Sequence, residues 1–139
     1  MTDQNTYNRQ LIEEFRAERG KSGGPMARRP LLLLTTTGAK SSQLRTTPMM
    51  YIRDGDRLLV IASNAGAPTH PDWYRNLVAH PDVTVEIGNE TFKATAIVTE
   101  GSERQRLWDR VVELYPFFAD HQAKVTHQIP VIVLKRREG

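Results

Sequence analysis

Two tight-turn signals restrict the architecture more than any other feature of the chain. Asp54-Gly55-Asp56 separates "TTPMMYIR" from "RLLVIAS", and Gly88-Asn89 separates "VTVEI" from "TFKATAIVTE". Apolar and β-branched runs on both sides of a short glycine-containing turn read as antiparallel hairpins, because such turns match the twist of adjacent strands. "LLLLTTT" before the first hairpin and "IPVIVLK" near the C-terminus add two more strands.

Helical signals fall between the strands. Thr6 to Arg19 carries Leu11, Ile12 and Phe15 on one face, with Thr6 as a candidate N-cap and Gly20 as a stop. "GKSGGPMARRP" then reads as a flexible connector. "THPDWYRNLVAHPD" predicts a short helix with Thr69 as N-cap, Pro71 in the first turn and Trp73, Leu77 and Val78 on its apolar side. Ser102 and Gln105 have capping-box spacing for a helix through Leu114, and a further helical piece follows Pro116. Hairpins interrupted by helices predict an α+β fold whose mostly antiparallel sheet closes as a small barrel with flanking helices. Residues 1–28 form an N-terminal helix and connector, and 29–139 the barrel domain.

A chain of 139 residues suffices for one domain with a substantial core. No apolar run approaches the roughly 18–20 residues of a membrane span. No signal peptide precedes "MTDQNTYNRQ", so a cytoplasmic location is expected, with peripheral membrane contact of the first helix as the lesser alternative. The absence of cysteine excludes disulfides, a thiolate nucleophile and Cys-ligated metal. A net charge of +3 admits an anionic partner, but no helix-turn-helix, zinc-finger or RNP signature points to nucleic acid.

Chemistry concentrates in two stretches. After Thr37, Gly38 leads into Lys40, Ser41, Ser42 and Arg45, cations and hydroxyls suited to phosphate or carboxylate oxygens. The "GxxxxGK[ST]" spacing of a nucleotide loop is absent. In "IASNAGAPTHPDWYRN", small residues after Ala62, Ser63 and Asn64 leave room for a flat ligand beside Trp73 and Tyr74. Each stretch also reads as ordinary surface, a solvated basic turn and a loop beside a core tryptophan. His70, His80, His121 and His127 lack metal-ligand spacing, and no metal is expected. Neither a "GxSxG" elbow nor a paired-carboxylate pattern is present.

Together, "LLLLTTTGAKSSQLRTTP" and "VIASNAGAPTHPDWYRNLVAHPDVTV" resemble the deazaflavin (coenzyme F420)-dependent nitroreductase family. Its pattern reads roughly "TTGRKSGxxRxxPL", then "VASxGGAxxHPxWYxNLxAxPxVxV", then "YP" and "IPV". The pieces occur here in order between Leu31 and Leu134. The resemblance implies a flavin-reductase-like split β-barrel and coenzyme F420, an 8-hydroxy-5-deazaflavin with a phosphate and an oligoglutamate tail. By the same resemblance Lys40, Ser41 and Arg45 hold the anionic end, beside Ala39. Pro48 and Met50 line the ring, and Ser63, Asn64, Trp73 and Asn76 form the second contact stretch, flanked by Ala62, Asp72 and Tyr74.

The chain departs from the pattern at Ala39, where arginine is usual, at Ser42 for glycine, and at Asn64, where lysine is common. Tyr115-Pro116 is followed by Phe117 and Phe118, where nitroimidazole reducers carry tyrosines, so these phenylalanines are expected to line the substrate. The implied reaction is hydride transfer from the reduced deazaflavin to an activated alkene, unsaturated lactone or quinone, with Tyr115 and His121 as candidate proton donors. The substrate is a small electrophile, and monomer and homodimer both remain open. The alternatives are a non-catalytic F420 carrier and an FMN-dependent split-barrel oxidoreductase.

Overall fold

A computed structural model of the chain describes residues 9–10, 12–13, 16, 31–55, 57–88 and 90–137. Seven strands, β1 (Leu31–Thr37), β2 (Leu44–Met50), β3 (Ile52–Asp54), β4 (Arg57–Ile61), β5 (Asp82–Ile87), β6 (Glu90–Val98) and β7 (Val131–Arg136), form one sheet. Among the continuously described residues three α-helices accompany it: α1 (Asp72–Ala79), α2 (Gly101–Leu114) and α3 (Phe117–Ala123). Every strand pair is antiparallel, in the order β2-β1-β5-β6-β7-β4-β3. The fold is α+β, as expected.

The order forces the sheet to curl. β2 and β3 are its two edges, yet only Tyr51 separates them in the chain. Six interstrand spacings of about 4.8 Å would hold the edges of a flat sheet roughly 29 Å apart. Across one intervening residue, Met50 and Ile52 can be separated by at most about 7 Å. "TTPMMYIR", expected as one strand, is therefore bent at Tyr51 into two that belong to opposite edges, and β2 also lies against β4.

Curling gives each strand an inner and an outer face. Leu32, Leu34, Leu58, Val60, Ile132 and Leu134 meet inside the barrel. Their neighbours Leu59, Val131 and Val133 point outward and are buried under α2 and α3 by Leu107, Trp108, Val111 and Phe118. Burial on both faces explains why "RLLVI" and "VIVL" are unbroken apolar runs rather than alternating ones. Both turn signals act as read: Asp54 pairs with Arg57 and Ile87 with Glu90, Gly55 and Gly88 having φ of +65° and +58°. Asp56 and Asn89 lie outside the described residues.

Two helix starts differ from expectation. Pro71, not Thr69, is the N-cap of α1, and Val78 points to solvent. Glu100 caps α2, so the Ser102–Gln105 box does not form; Gln105 Nε2 instead donates to Asp109 Oδ1 at 2.8 Å. Arg104 anchors α2 inward, its Nη2 donating to the Ile129 carbonyl at 2.6 Å while the guanidinium lies 4.6 Å from the Trp108 ring centre. Of the expected helix from Thr6 to Arg19, Arg9, Gln10, Ile12, Glu13 and Arg16 are described and helical. Thr6, Leu11, Phe15, Gly20 and the connector lie outside the described residues. Arg16 makes a two-bond pair with Glu86 on the outer face of β5, at 3.1 and 2.8 Å. No described helix is long and apolar enough to cross a membrane.

Leu59, fully buried between β4 and the helical layer, tests this packing. Leu59→Ala should lower the unfolding free energy by about 2–5 kcal/mol, read from urea titration. A loss below about 1 kcal/mol would mean that the outer layer is loosely packed.

Candidate functional site

The loop between β1 and β2 is closed by its own backbone. Gly38 N–H donates to the Gln43 carbonyl at 2.7 Å, Ser42 N–H to the Gly38 carbonyl at 3.0 Å, and Gln43 N–H to Ser41 Oγ at 3.2 Å. A Cβ on Gly38 would collide with Ser41 Oγ and press on the Gln43 carbonyl. Glycine is needed there for close packing of the turn, and its amide is engaged within it. Ser42 accepts a φ of +61° in the same turn. Lys40, Ser41, Ser42 and Arg45 are exposed, and neither Lys40 nor Arg45 makes an ion pair among the described residues.

Asn76 joins this loop to the second stretch. From α1 its Oδ1 accepts the Ala39 N–H at 3.0 Å, while its Nδ2 donates to Thr36 Oγ1 at 3.1 Å. Thr36 is almost fully buried and pairs across the ladder with Arg45. One amide therefore ties together the end of β1, the cation-bearing loop and the helix that carries Trp73 and Tyr74. Thr36 is the part of this link that the sequence reading missed. The available signal was its parity with Leu32 and Leu34, which places its side chain on the inner face.

At the end of β4, Ala62 N–H donates to the Pro130 carbonyl at 3.1 Å, leading into buried Ser63. Asn64 opens a 3-10 helix (Asn64–Gly66) with φ of +50°, and its Nδ2 donates to the Thr69 carbonyl at 2.9 Å. Asparagine tolerates this left-handed backbone, and Asn64 holds the loop together in the process. Asp72 starts α1 in solvent, and Trp73 and Tyr74 are half-buried against the barrel core. His121 Nδ1 on α3 lies 3.3 Å from Ser63 Oγ.

The remaining expected site residues are more dispersed. Arg45 shares the inner face of β2 with Met49, whereas Pro48 and Met50 lie on the outer face, across from Leu33 and Leu31. Phe117 is 40% exposed, but Phe118 is only 6% exposed and packs in the outer core with Leu107 and Val111. Tyr115 is half-buried beside both phenylalanine rings. A groove of about 960 Å³ contains none of these residues. It is lined by Thr35, Thr84, Lys93, Arg136 and Arg137 among others, and its two arginines are paired with Glu90 and Asp82. The cations with no ion pair among the described residues, and the small and aromatic residues, lie instead around Asn76. Among the described residues no three His, Asp or Glu side chains cluster as metal ligands.

His70 packs its ring between Tyr74 at 4.7 Å and His127 at 4.4 Å, and its Nδ1 is buried without a partner among the described residues. Burial pushes its imidazole below the ordinary histidine value, and the charges of His127 and Arg75 push the same way. The folded protein thus holds this proton less readily than the unfolded chain. The contribution of neutral His70 is fully present above a pH of about 6.5 and is lost as pH falls through the lower folded value. Urea unfolding should accordingly show lower stability at about pH 5.5 than at about pH 7.5, and His70→Gln should flatten the difference. An unchanged slope in the variant would assign the effect to other groups.

Asn76→Ala would leave buried Thr36 Oγ1 without its partner, costing about 1–3 kcal/mol. It should also accelerate hydrogen exchange at the Ala39 amide. Slow exchange there in the variant would show that the loop does not depend on Asn76.

Residues 7–136 match a family described as F420H(2)-dependent quinone reductase. The chain is 45% identical over 111 residues to an F420H(2)-dependent quinone reductase of Mycobacterium tuberculosis (strain ATCC 25618 / H37Rv), covering 78% of this chain and 74% of that protein. A solved F420-H2 dependent reductase (FDR-A) superposes with a TM-score of 0.70 at 41% identity, over 77% of this chain and 95% of its own. A structure described as a domain-swapped dimer gives a TM-score of 0.72 at 37% identity, over 91% and 96%. The curled seven-stranded sheet is thus the split barrel of these reductases.

Proposed function

The chain belongs to the F420H(2)-dependent quinone reductase family, and on that premise we propose that it reduces quinones at a site between the Gly38–Arg45 loop and the Ser63–Asn76 segment. Membership makes it an F420-dependent oxidoreductase with coenzyme F420 as cofactor. The observation that carries the placement is the Asn76 bridge, which holds the loop of Lys40 and Arg45 against a helix with half-buried aromatics. The donor set fits the group. Lys40 and Arg45 make no ion pair among the described residues, and Ser41 lies beside them, as phosphate and carboxylate oxygens require.

When bound, reduced F420 supplies a hydride from C5 of its deazaflavin. The residues of this chain orient and shield. Lys40 and Arg45 hold the anionic end and Trp73 and Tyr74 wall the flat end, whereas Pro48 and Met50 face the other side of β2 from Arg45. Phe117, with its ring partly open, borders the acceptor, and buried Phe118 supports it through ring contact at 4.4 Å. An apolar border suits quinones, and conjugated enones and unsaturated lactones are further acceptors of the same chemistry. Residues 1–28 are read as an appendage to the barrel of 29–139, joined to it by the Arg16–Glu86 ion pair. The dimeric neighbour supports a homodimer.

Titrating the purified protein with F420, FMN and NADPH tests the reading: F420 should bind in preference to both. Micromolar FMN binding without F420 binding would overturn it, and F420 binding without quinone turnover would leave a carrier. Lys40→Ala and Arg45→Ala should each weaken F420 binding roughly 10- to 150-fold, the loss of one charged contact, while turnover at saturating cofactor changes far less.

A further inference from the structure

Ser63 and His121 come from segments 58 residues apart and meet at the edge of the site, Oγ to Nδ1 at 3.3 Å. The contact is held from both sides. The His121 ring stands edge-on to Phe117 at 5.5 Å and to Phe118 at 5.8 Å, and Phe118 is core. Those two rings limit rotation of the imidazole and aim Nδ1 at the serine. On the other side, Gly66 lets the 3-10 helix lie against α3. Its φ is +82°, and a Cβ there would come within 2.9 Å of Lys124 Cδ and 3.5 Å of His121 Cα. Ser63 Oγ has no other hydrogen-bond partner among the described residues.

A hydroxyl has one hydrogen to give. If His121 Nδ1 is bare, that hydrogen is engaged by the ring, and Ser63 presents only lone pairs to a ligand. If Nδ1 carries a hydrogen and donates, Ser63 accepts from the ring and its own hydrogen is free to point outward. The Nδ1–H tautomer and the imidazolium both produce the second arrangement; only the Nε2–H tautomer produces the first. A quinone receiving hydride accumulates negative charge on oxygen, where a fixed donor stabilises the transition state most.

We propose that His121 is a positioning residue, its Nδ1–H donating to Ser63 Oγ so that the Ser63 hydroxyl donates to the acceptor's oxygen. The assignment rests on the quinone-reductase reading of this site. The acceptor takes an electron pair with the hydride of reduced F420, which is oxidised, and one proton from solvent, and so becomes the hydroquinone. Ser63 keeps its proton throughout and contributes only the hydrogen bond. Oγ–Nδ1 at 3.3 Å is at the long end for such a bond, as hydrogen bonds of catalytic sites often are before substrate binds.

Histidine ring nitrogens read by long-range ¹⁵N–¹H NMR in the cofactor-free protein test this without turnover. His121 Nδ1 should be protonated, and Ser63→Ala should shift its signal. In quinone reduction, His121→Phe keeps the aromatic packing but lacks the donor; it should lower kcat roughly 3- to 10-fold, one hydrogen bond's worth, with F420 affinity unchanged. His121→Asn, whose amide nitrogen falls near the Nδ1 position, should recover most of that loss. A bare Nδ1, an Nδ1 signal indifferent to Ser63→Ala, or equal kcat in the Phe and Asn variants would each overturn the proposal. Failure of F420 binding would sink the reductase reading and leave the ring-nitrogen result standing, so the two failures are separable.

Discussion

Tyr51 carries the chain from one edge of a seven-stranded sheet to the other within a single residue. Covalent geometry permits that only if the edges have come together, so curvature here follows from connectivity as much as from strand twist. An inner face lined by Leu32, Val60 and Ile132 then becomes a barrel core. The outer face beneath α2 and α3 becomes a second core around Leu107, Trp108 and Val111. Ser63 and the loop after it sit where the first core ends and the helical layer begins, which is why β4 delivers polar groups at that point.

Leu77 seats α1 in the barrel core beside Leu32 and Leu34, and polar contacts then hold the cation-bearing loop to that helix. The loop bearing Lys40 and Arg45 is short and exposed, with little to bury, and its position depends on Asn76 bridging Thr36 and Ala39. The two hydrogen bonds also settle the orientation of the amide, since Oδ1 meets a backbone donor. Lys40 and Arg45 make no ion pair among the described residues, so an anion that binds them is desolvated and charge-paired in one step. The loop is anchored through its backbone and left free in its charges, a division suited to a site for a polyanionic tail.

Local features were read well from sequence, and features set by packing were not. Asp54-Gly55-Asp56 and Gly88-Asn89 formed their hairpins because a tight turn is decided by the φ its own residues tolerate. The Ser102–Gln105 box failed although its spacing was right, because α2 begins at Gly101 and is anchored by buried Arg104 on the Ile129 carbonyl. Phe118 was expected beside the substrate with Phe117, but consecutive residues on a helix point about 100° apart. One faces solvent and the other the outer core, and nothing in "YPFF" says which.

Sequence alone determined the strand hairpins, the α+β class, the donor chemistry of Lys40, Ser41 and Arg45, and the resemblance that led to the family. These are properties of contiguous residues, whose backbone preferences and charges need no distant partner to express them. The tertiary structure alone decided that "TTPMMYIR" divides between two sheet edges, that Asn76 clamps Thr36 to Ala39, and that His121 meets Ser63. Each joins segments that are remote in sequence or opposed in the sheet. Such contacts exist only after the barrel closes, because the entropy of closing those long loops is offset by the whole buried core and not by the contact itself.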